Sequence, residues 1–543
     1  MELWDVNCLL GRWPSAALLF HDVSGLLARM DQLGITRAAV SHTAGLHFDP
    51  AAGNAELMRL LAEAPPAARA RLWPVWVLVP PVTGEQGAPA ELAAALEQNV
   101  IRLVRLYPRD HNYSLSGPDA AELLTLLESR HAITLIDLEQ SSWEELDRLA
   151  VAYPGLPFVI GQVGYRGLRR SAGVLARRPN VHLDLSFFAT HQGLEWLVSR
   201  AGPGQVLFGT GAPLTDGGGG AARLLLSGLS ADDQAAVAHG NLQRLLAAAG
   251  AAPEPAASPA PASPAASSAA PLRPADQVLR GEPVHGDWDV VDAHAHVGPW
   301  FNFFTPEPSA DSMLRVMDRC GVRLAVVSAT YAIGVDAVAG NAQVVAMVRQ
   351  HPGRFAGYAV FNPHAPESLT DVERLLDMPS MVGIKIHPDV QAYAADGPLY
   401  APIWELAARR AAPVLTHTFV DSPFSDPLMF AAIAARWPEV VMLLGHSGVT
   451  GEGHRRAMQV AGAHRNVYLE LCGSFTTGHW IRQMVERVGA QRVLYGSDFP
   501  FIELRYALGR VVFAGLPDAD LALVLGGNAR RILRLPRLTG DDH

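Results

Sequence analysis

The chain has 543 residues, 49% of them hydrophobic and 18% charged, which is enough apolar material for two or three ordinary domains and too little charge for a disordered protein. A formal net charge of -10, with no basic run beyond short arginine pairs, excludes a nucleic-acid partner, because phosphate-backbone readers carry clustered positive charge. No apolar stretch reaches the roughly 20 residues of a membrane span, the start MELWDVNCLL has no signal-peptide pattern, and Cys8, Cys320 and Cys472 are too scattered for a disulfide framework or a zinc knuckle; a reducing cytoplasm is the expected location.

From about 1 to 250, eight short aliphatic runs, the first ELWDVNCLL and the last QVLFGTGAP, alternate with stretches of helical period. Residues 251 to 271 then read AAPEPAASPAPASPAASSAAP, ten Ala, six Pro, four Ser and one Glu, with nothing that could build a core. This is a linker, extended by its prolines to a reach of roughly 65 Å. A disordered segment is expected over 251–284, with a second domain over 285–543.

The second domain repeats the first. WDVNCLLGRW at 4–13 parallels VDAHAHVGPW at 291–300, an offset of 287 that also relates Gly53-Asn54 to Gly340-Asn341. The offset drifts to 280 at RLVRLYP and GIKIHP and to 284 at IGQVG and LGHSG, then returns to 287 at LFGTGAP and LYGSDFP and at Gly240-Asn241 and Gly527-Asn528. Chance does not restore a register after small insertions, so the domain is duplicated. Its second copy carries the runs DVVDAHAHV, LAVVSAT, FAGYAVF, VGIKIH, PVLTHT, VVMLLGHSG, NVYLELCGS and RVLYGSD. Eight strand-helix units in about 250 residues predict an α/β architecture of two tandem (β/α)8 barrels. An open doubly wound sheet lacks its Gly-rich phosphate fingerprint here.

Chemistry gathers at the ends of the second copy's strands. His294 and His296 are two apart, and a strand's period of two puts both on one face. Lys385, His417, His446 and Asp498 each end a predicted strand just before a loop, and a barrel brings all such ends to one rim. Several imidazoles and a carboxylate around one point form a site suited to zinc or another divalent first-row metal. Of the 43 basic residues Lys385 is the one lysine, so it needs a reason that arginine cannot satisfy. His387 shares its strand face and either orients the loop or touches substrate.

Through HAH, GIKIHP, THT, GHSG and GSDFP, residues 288 to 535 resemble the amidohydrolase superfamily, specifically the amidohydrolase-2 branch of metal-dependent hydrolases and decarboxylases. The resemblance implies His294, His296, His417 and Asp498 as metal ligands, with His446 binding a second metal or assisting catalysis. Lys385 falls where some relatives carry a carboxylated lysine bridging two ions, so the metal count, one or two, stays open. On this reading Asp498, His446 and Lys385 are catalytic. Asp498 takes a proton from metal-acidified water for attack on an amide, lactam or ester-like carbonyl of a small molecule. Alternatives are decarboxylation of a small carboxylic acid on the same site and a non-catalytic scaffold. Trp300, Phe301, Phe303 and Phe304 occupy a loop that either contacts an apolar substrate or covers the site, and Arg505 is expected on a helix surface or at a substrate carboxylate.

At the matching positions the first copy has Asn7, Leu9, Arg105, Asp137, Gln162 and Gly211, and so no ligand set. Arg105 beside Asp137 suggests an internal ion pair filling the old cavity or a small-anion site. Because relatives in this branch commonly dimerise, the first barrel is expected to serve as a tethered, non-catalytic pseudo-dimer partner, with a higher homo-oligomer open.

Overall fold

The computed structural model describes residues 1–16, 18–251 and 272–536. The chain divides into two compact units, Met1–Ala270 and Pro271–His543. Each holds eight parallel strands hydrogen-bonded in sequence order, with helices between them, so the protein is two tandem (β/α)8 barrels. In the first these are β1 (Leu3–Leu10), β2 (Ile35–His42), β3 (Leu72–Val77), β4 (Leu103–Leu106), β5 (Ile133–Asp137), β6 (Phe158–Gly161), β7 (Val181–Asp184) and β8 (Val206–Leu207). In the second they are β9 (Val290–Val297), β10 (Val322–Ala329), β11 (Phe355–Val360), β12 (Met381–Ile386), β13 (Val414–His417), β14 (Met442–Gly445), β15 (Val467–Glu470) and β16 (Val493–Leu494).

Each barrel closes on its first strand. Val6 N donates to Phe208 O at 3.0 Å and Leu9 N to Ala212 O at 2.8 Å; the second copy repeats this with Ala293 N to Tyr495 O at 3.0 Å and His296 N to Phe499 O at 2.6 Å. Closure leaves no unpaired edge and turns the β-branched and aliphatic side chains of every strand into two layers, one inside the barrel and one under the helices. The inner layer of the first barrel, including Val6, Val75, Leu103 and Leu135, packs against Leu242, Leu245 and Leu246 of the last helix of that unit. Val291, Val326 and Leu415 pack in the same way against Ala529, Ile532 and Leu533. The amino-terminal end of each barrel is thus plugged by leucine and isoleucine, which leaves the carboxyl-terminal rim for chemistry.

The motifs that revealed the duplication hold the barrels together. Asn54 Nδ2 donates to Val77 O at 2.9 Å while its Oδ1 accepts from Val77 N at 2.8 Å, and Asn341 does the same to Val360 at 3.1 and 2.8 Å. Each asparagine thereby completes the end of a third strand where the ladder has stopped. Asn241 and Asn528 each donate to two carbonyls beside the last strand, at 2.7 and 2.8 Å in both copies.

Two expectations need correction. The expectation of disorder over 251–284 fails in its second part: residues 252–271 lie outside the described residues, but Pro274–Leu279 is a helix that buries Gln277 and Val278, and Val284 is buried as well. Those valines supply the apolar anchor that the Ala/Pro/Ser run lacks. Nor is Arg505 a surface residue. It is 1% exposed, and its Nε and Nη2 grip Glu503 Oε1 and Oε2 at 2.8 and 2.9 Å, a bidentate pair in a helix buried along its length.

Candidate functional site

The pleat of β9 places His294 and His296 inside the barrel with ring centroids 5.1 Å apart. Asp498 follows β16 and reaches back to both: its Oδ1 is 3.0 Å from His296 Nε2 and 3.8 Å from His294 Nε2. Lys385, at the end of β12 and fully buried, sets Nζ 2.9 Å from His294 Nε2. His446, just past β14, lies 5.1 Å from the His294 ring and 4.6 Å from that of His417. His417 ends β13, stacked on His387 at 4.1 Å, with Nε2 3.6 Å from Asp389 Oδ2 and Nδ1 buried without a hydrogen-bond partner among the described residues. All the named candidates of strands one, four, five, six and eight therefore meet on one rim. The backbone bends to allow it: Asp498 and His446 have φ of +64° and +63°, a left-handed conformation uncommon for residues with a side chain and frequent at functional sites.

Four residues at this centre escaped the sequence reading. Glu470 ends β15, fully buried, with Oε2 2.9 Å from His294 Nδ1. The same carboxylate accepts from the backbone N–H of His446 at 3.1 Å and of Cys472 at 2.7 Å. With Nδ1 donating to Glu470, the Nε2 lone pair of His294 is turned toward Asp498 and Lys385, the carboxylate-histidine arrangement typical of metal ligands. Cys472 Sγ is 3.1 and 3.0 Å from Nδ1 of His294 and His446, Ser328 Oγ is 3.1 Å from His296 Nδ1, and Asp389 faces His417. The signal for Glu470 and Cys472 was present: a carboxylate and a thiol two residues apart in the otherwise apolar run NVYLELCGS point to one face. Room for Glu470 comes from Gly496, where a Cβ would lie 2.0 Å from Oε1.

Burial sets the electrostatics. It pushes His294 and His446 well below the ordinary imidazole range and His417 down to about 4, and lowers Lys385 to about 8. Asp498 goes the other way. Burial alone would raise its carboxyl, but the imidazoles of His446, His296 and His294 outweigh burial and keep it well below the usual carboxylate range. Imidazoles that give up their protons easily, beside a carboxyl that ionises easily, are what a divalent cation requires, since its ligands must be deprotonated to bind it. Donor atoms of His294, His446, Cys472 and Asp498 all lie within 4.8 Å of one another, and those of His387, Asp389 and His417 form a second such group. The residues present therefore fit a divalent metal.

Trp300 and Phe303 lie near this centre through Phe501, which stacks on His296 at 4.8 Å and 19° and meets the two rings at 5.5 and 5.3 Å. Phe301 is 78% exposed and Phe304 half-buried.

The first barrel preserves the scaffold of this network with every member exchanged. Arg105 donates through Nη2 to Asn7 Oδ1, and Asn7 Nδ2 donates to Asp184 Oδ2 at 2.7 Å, which reproduces the chain from Lys385 through His294 to Glu470. Ser186 stands for Cys472. Gln162 keeps the left-handed φ of His446, at +56°, while Gly211 keeps that of Asp498, at +68°, without its carboxylate. Arg105 and Asp137 stand 3.9 Å apart and do not fill the hollow, which keeps a volume of about 290 Å³.

Among the described residues no helix is long and apolar enough to cross a membrane. Gamma-resorcylate decarboxylase of Polaromonas sp. (strain JS666) is 24% identical over 292 residues, 42% of this chain and 88% of that protein. L-fucono-1,5-lactonase of Burkholderia ambifaria is 28% identical over 204 residues, 32% of this chain and 68% of that protein. The solved structure of the dihydroxybenzoic acid decarboxylase from Polaromonas sp. JS666, with bound manganese and the inhibitor 2-nitroresorcinol, aligns with a TM-score of 0.37 at 17% identity, over 46% of this chain and 98% of that one. The amidohydrolase family matches residues 9–247 and again 291–535, and the chain belongs to that family, present here in duplicate.

Proposed function

We propose that the second barrel is a metal-dependent enzyme that removes carbon dioxide from a small aromatic carboxylic acid, and that the first barrel is non-catalytic. One observation carries the reading: Lys385 lies buried against the His294 donor, and the neighbouring His296 ring, 5.1 Å from that of His294, is stacked by Phe501. With its pKa near 8, Lys385 is mostly cationic at neutral pH and suits a carboxylate, while the stacked rings suit a planar body. His294, His446, Cys472 and Asp498, with His296 beside Asp498, would hold one divalent ion, and His387, Asp389 and His417 form a separate donor group within reach of a second. The chemistry such an ion supplies when bound is Lewis acidity toward a carboxylate or carbonyl oxygen.

The residues do the rest. Phe501 and Trp300 orient the ring, and Lys385 balances the carboxylate charge. When the bond from ring to carboxyl carbon breaks, its electron pair stays on the ring carbon, which takes a proton in place of carbon dioxide; the ionised Asp498 would first accept that proton from an acidic hydroxyl of the substrate or from solvent water and then pass it to the carbon. Glu470 takes no part in that transfer; it fixes the tautomer of His294.

Hydrolysis of a lactone or amide is the second reading, supported by the ionised state of Asp498, which suits a base that accepts a proton from water. Turnover of a panel of hydroxybenzoates and sugar lactones in ¹⁸O-water tests both. Carbon dioxide release without ¹⁸O in the product supports decarboxylation; ¹⁸O in a ring-opened acid without carbon dioxide replaces it with hydrolysis. Turnover by the Asp498→Asn variant with its metal retained would defeat either.

A further inference from the structure

The first barrel has lost the metal donors but not the hollow in which they would stand. At the carboxyl ends of its strands a cavity of about 290 Å³ is lined by Asn7, Arg105, Tyr107, Asp137 and Gln162, with Trp13 and Phe187 supplying rings. Some of its polar groups are already committed. Asn7 joins Arg105 to Asp184, and Arg105 Nη1 donates to the Tyr107 hydroxyl at 3.3 Å. Others are not. Among the described residues the Asp137 carboxylate is paired only with Arg105 Nη1, at 3.9 Å, and Gln162, which lines the cavity, makes no side-chain hydrogen bond; Tyr107, an acceptor toward Arg105, still has its own hydrogen to donate. Arg105 is 3% exposed, and its Nε has no partner among the described residues.

Charge decides the class of ligand. The lining carries three carboxylates, Asp110, Asp137 and Glu139, against two guanidiniums, Arg105 and Arg109. Arg109 already pairs with Asp110 at 2.9 Å and Glu139 at 3.8 Å, so an anion gains little there and a cation would meet buried Arg105. A neutral compound with adjacent hydroxyls satisfies both kinds of free group, since each hydroxyl can donate to Asp137 and accept from Gln162 or Tyr107. Trp13, set edge-on to His47 at 4.4 Å, offers a face for carbon-bound hydrogens. At ~30 Å³ per water-sized atom the volume holds roughly ten non-hydrogen atoms, the size of a single sugar ring. We infer that the first barrel is a binding site for a neutral pyranose-sized polyol.

Isothermal titration of the full chain with D-xylose, D-galactose, D-glucose and L-fucose tests this, with benzoate and succinate as the anionic arm. At least one sugar is expected to give saturable heat, weakened about tenfold or more by Asp137→Ala and by Gln162→Ala, and unchanged by His296→Ala in the other barrel. Gln162→Ala leaves the Arg105–Asp137 pair in place, so its loss of binding with an unaltered Tm separates recognition from misfolding. No heat from any of the four sugars up to ~10 mM, binding of the acids in their place, or binding indifferent to both first-barrel variants would overturn the inference.

Discussion

Lys385 Nζ stands 2.9 Å from His294 Nε2, with both side chains fully buried, and the equivalent pair in the first barrel is Arg105 and Asn7. The comparison explains why one lysine persists in a chain whose other basic residues are arginine. A guanidinium stays protonated and needs acceptors for its fork of donors, which Asn7 and Tyr107 provide; an ammonium can share one hydrogen with an imidazole or give it up. Lys385→Arg is therefore expected to lower kcat by about 10²-fold or more, the size of a lost acid-base or charge-positioning group. Circular dichroism and Tm should stay close to those of the parent. Near-parental kcat in this variant would remove Lys385 from the reaction.

Glu470 gives a sharper test of the metal centre, because it touches no proposed substrate position. Its carboxylate holds His294 Nδ1 and two backbone N–H groups. Glu470→Gln keeps the volume but presents an amide where one oxygen accepted, and second partners of metal-bound histidines are typically worth about 10- to 100-fold in affinity. Metal content after dialysis against a buffered chelator should fall by that factor, and activity should recover when excess metal is added. Unchanged metal retention would show that His294 does not depend on Glu470 for its orientation.

Removal of the metal from the parent chain is expected to abolish turnover while leaving both barrels folded, since their cores are aliphatic and closed without it. Activity assayed after chelation and after return of zinc, manganese or cobalt tests this, and the metal that restores the highest kcat identifies the preferred ion. Full activity of the metal-free protein would leave the proposed chemistry without its Lewis acid.

Much of this was legible in the sequence because the signals were local. The eight runs of each copy became eight strands because short β-branched segments between turn residues have few other ways to bury themselves. His294, His296, Lys385, His417, His446 and Asp498 stood out because imidazole, ammonium and carboxylate are rare at the apolar ends of strands. Glu470 and Cys472 lay on an equally apolar run as a carboxylate and a thiol rather than a pair of like donors, and only the closed barrel brings the end of β15 across its interior to His294 on β9. The helix Pro274–Leu279 was hidden by its neighbours' composition, and the burial of Arg505 by a pairing with Glu503, two residues before it, that a helical run does not announce. Pairing across distant segments is a tertiary fact that a single run of residues does not encode.

Gly340 and Gly53 carry the duplication into energetics. Alanine is favoured over glycine in a helix by about 1 kcal/mol, so Gly→Ala would ordinarily stabilise. Here a Cβ at Gly340 would sit 2.2 Å from Ala332 N, and at Gly53 2.2 Å from Gly45 N. Backbone atoms cannot rotate away, and overpacking costs about 1–3 kcal/mol. Gly340→Ala and Gly53→Ala should each lower the Tm of their own barrel despite the better helix propensity. A raised Tm in either would mean the two helices separate more easily than their packing shows.

The last expectation concerns pH and rests on a carboxylate in the first barrel. Asp5 is fully buried beside Asn7, accepts from Asn7 N at 2.9 Å, Thr210 N at 3.0 Å and the Thr210 hydroxyl, and lies 3.0 Å from Cys8 Sγ. Burial nonetheless pushes its carboxyl up to about 6 from 3.8, the hydrogen bonds offsetting only part of the cost. A raised pKa means that the folded state binds the proton more tightly than the unfolded one. The resulting stabilisation is present in full below about pH 4 and is lost as pH rises through about 6. A shift of about 2 pH units corresponds to about 3 kcal/mol. Asp5→Asn imitates the protonated form at every pH. Its unfolding free energy, measured against the parent in urea, should therefore improve by roughly that amount between pH 4 and pH 7. A difference that stays flat across this window would show that the Asp5 carboxyl titrates in the folded barrel as it does in the unfolded chain.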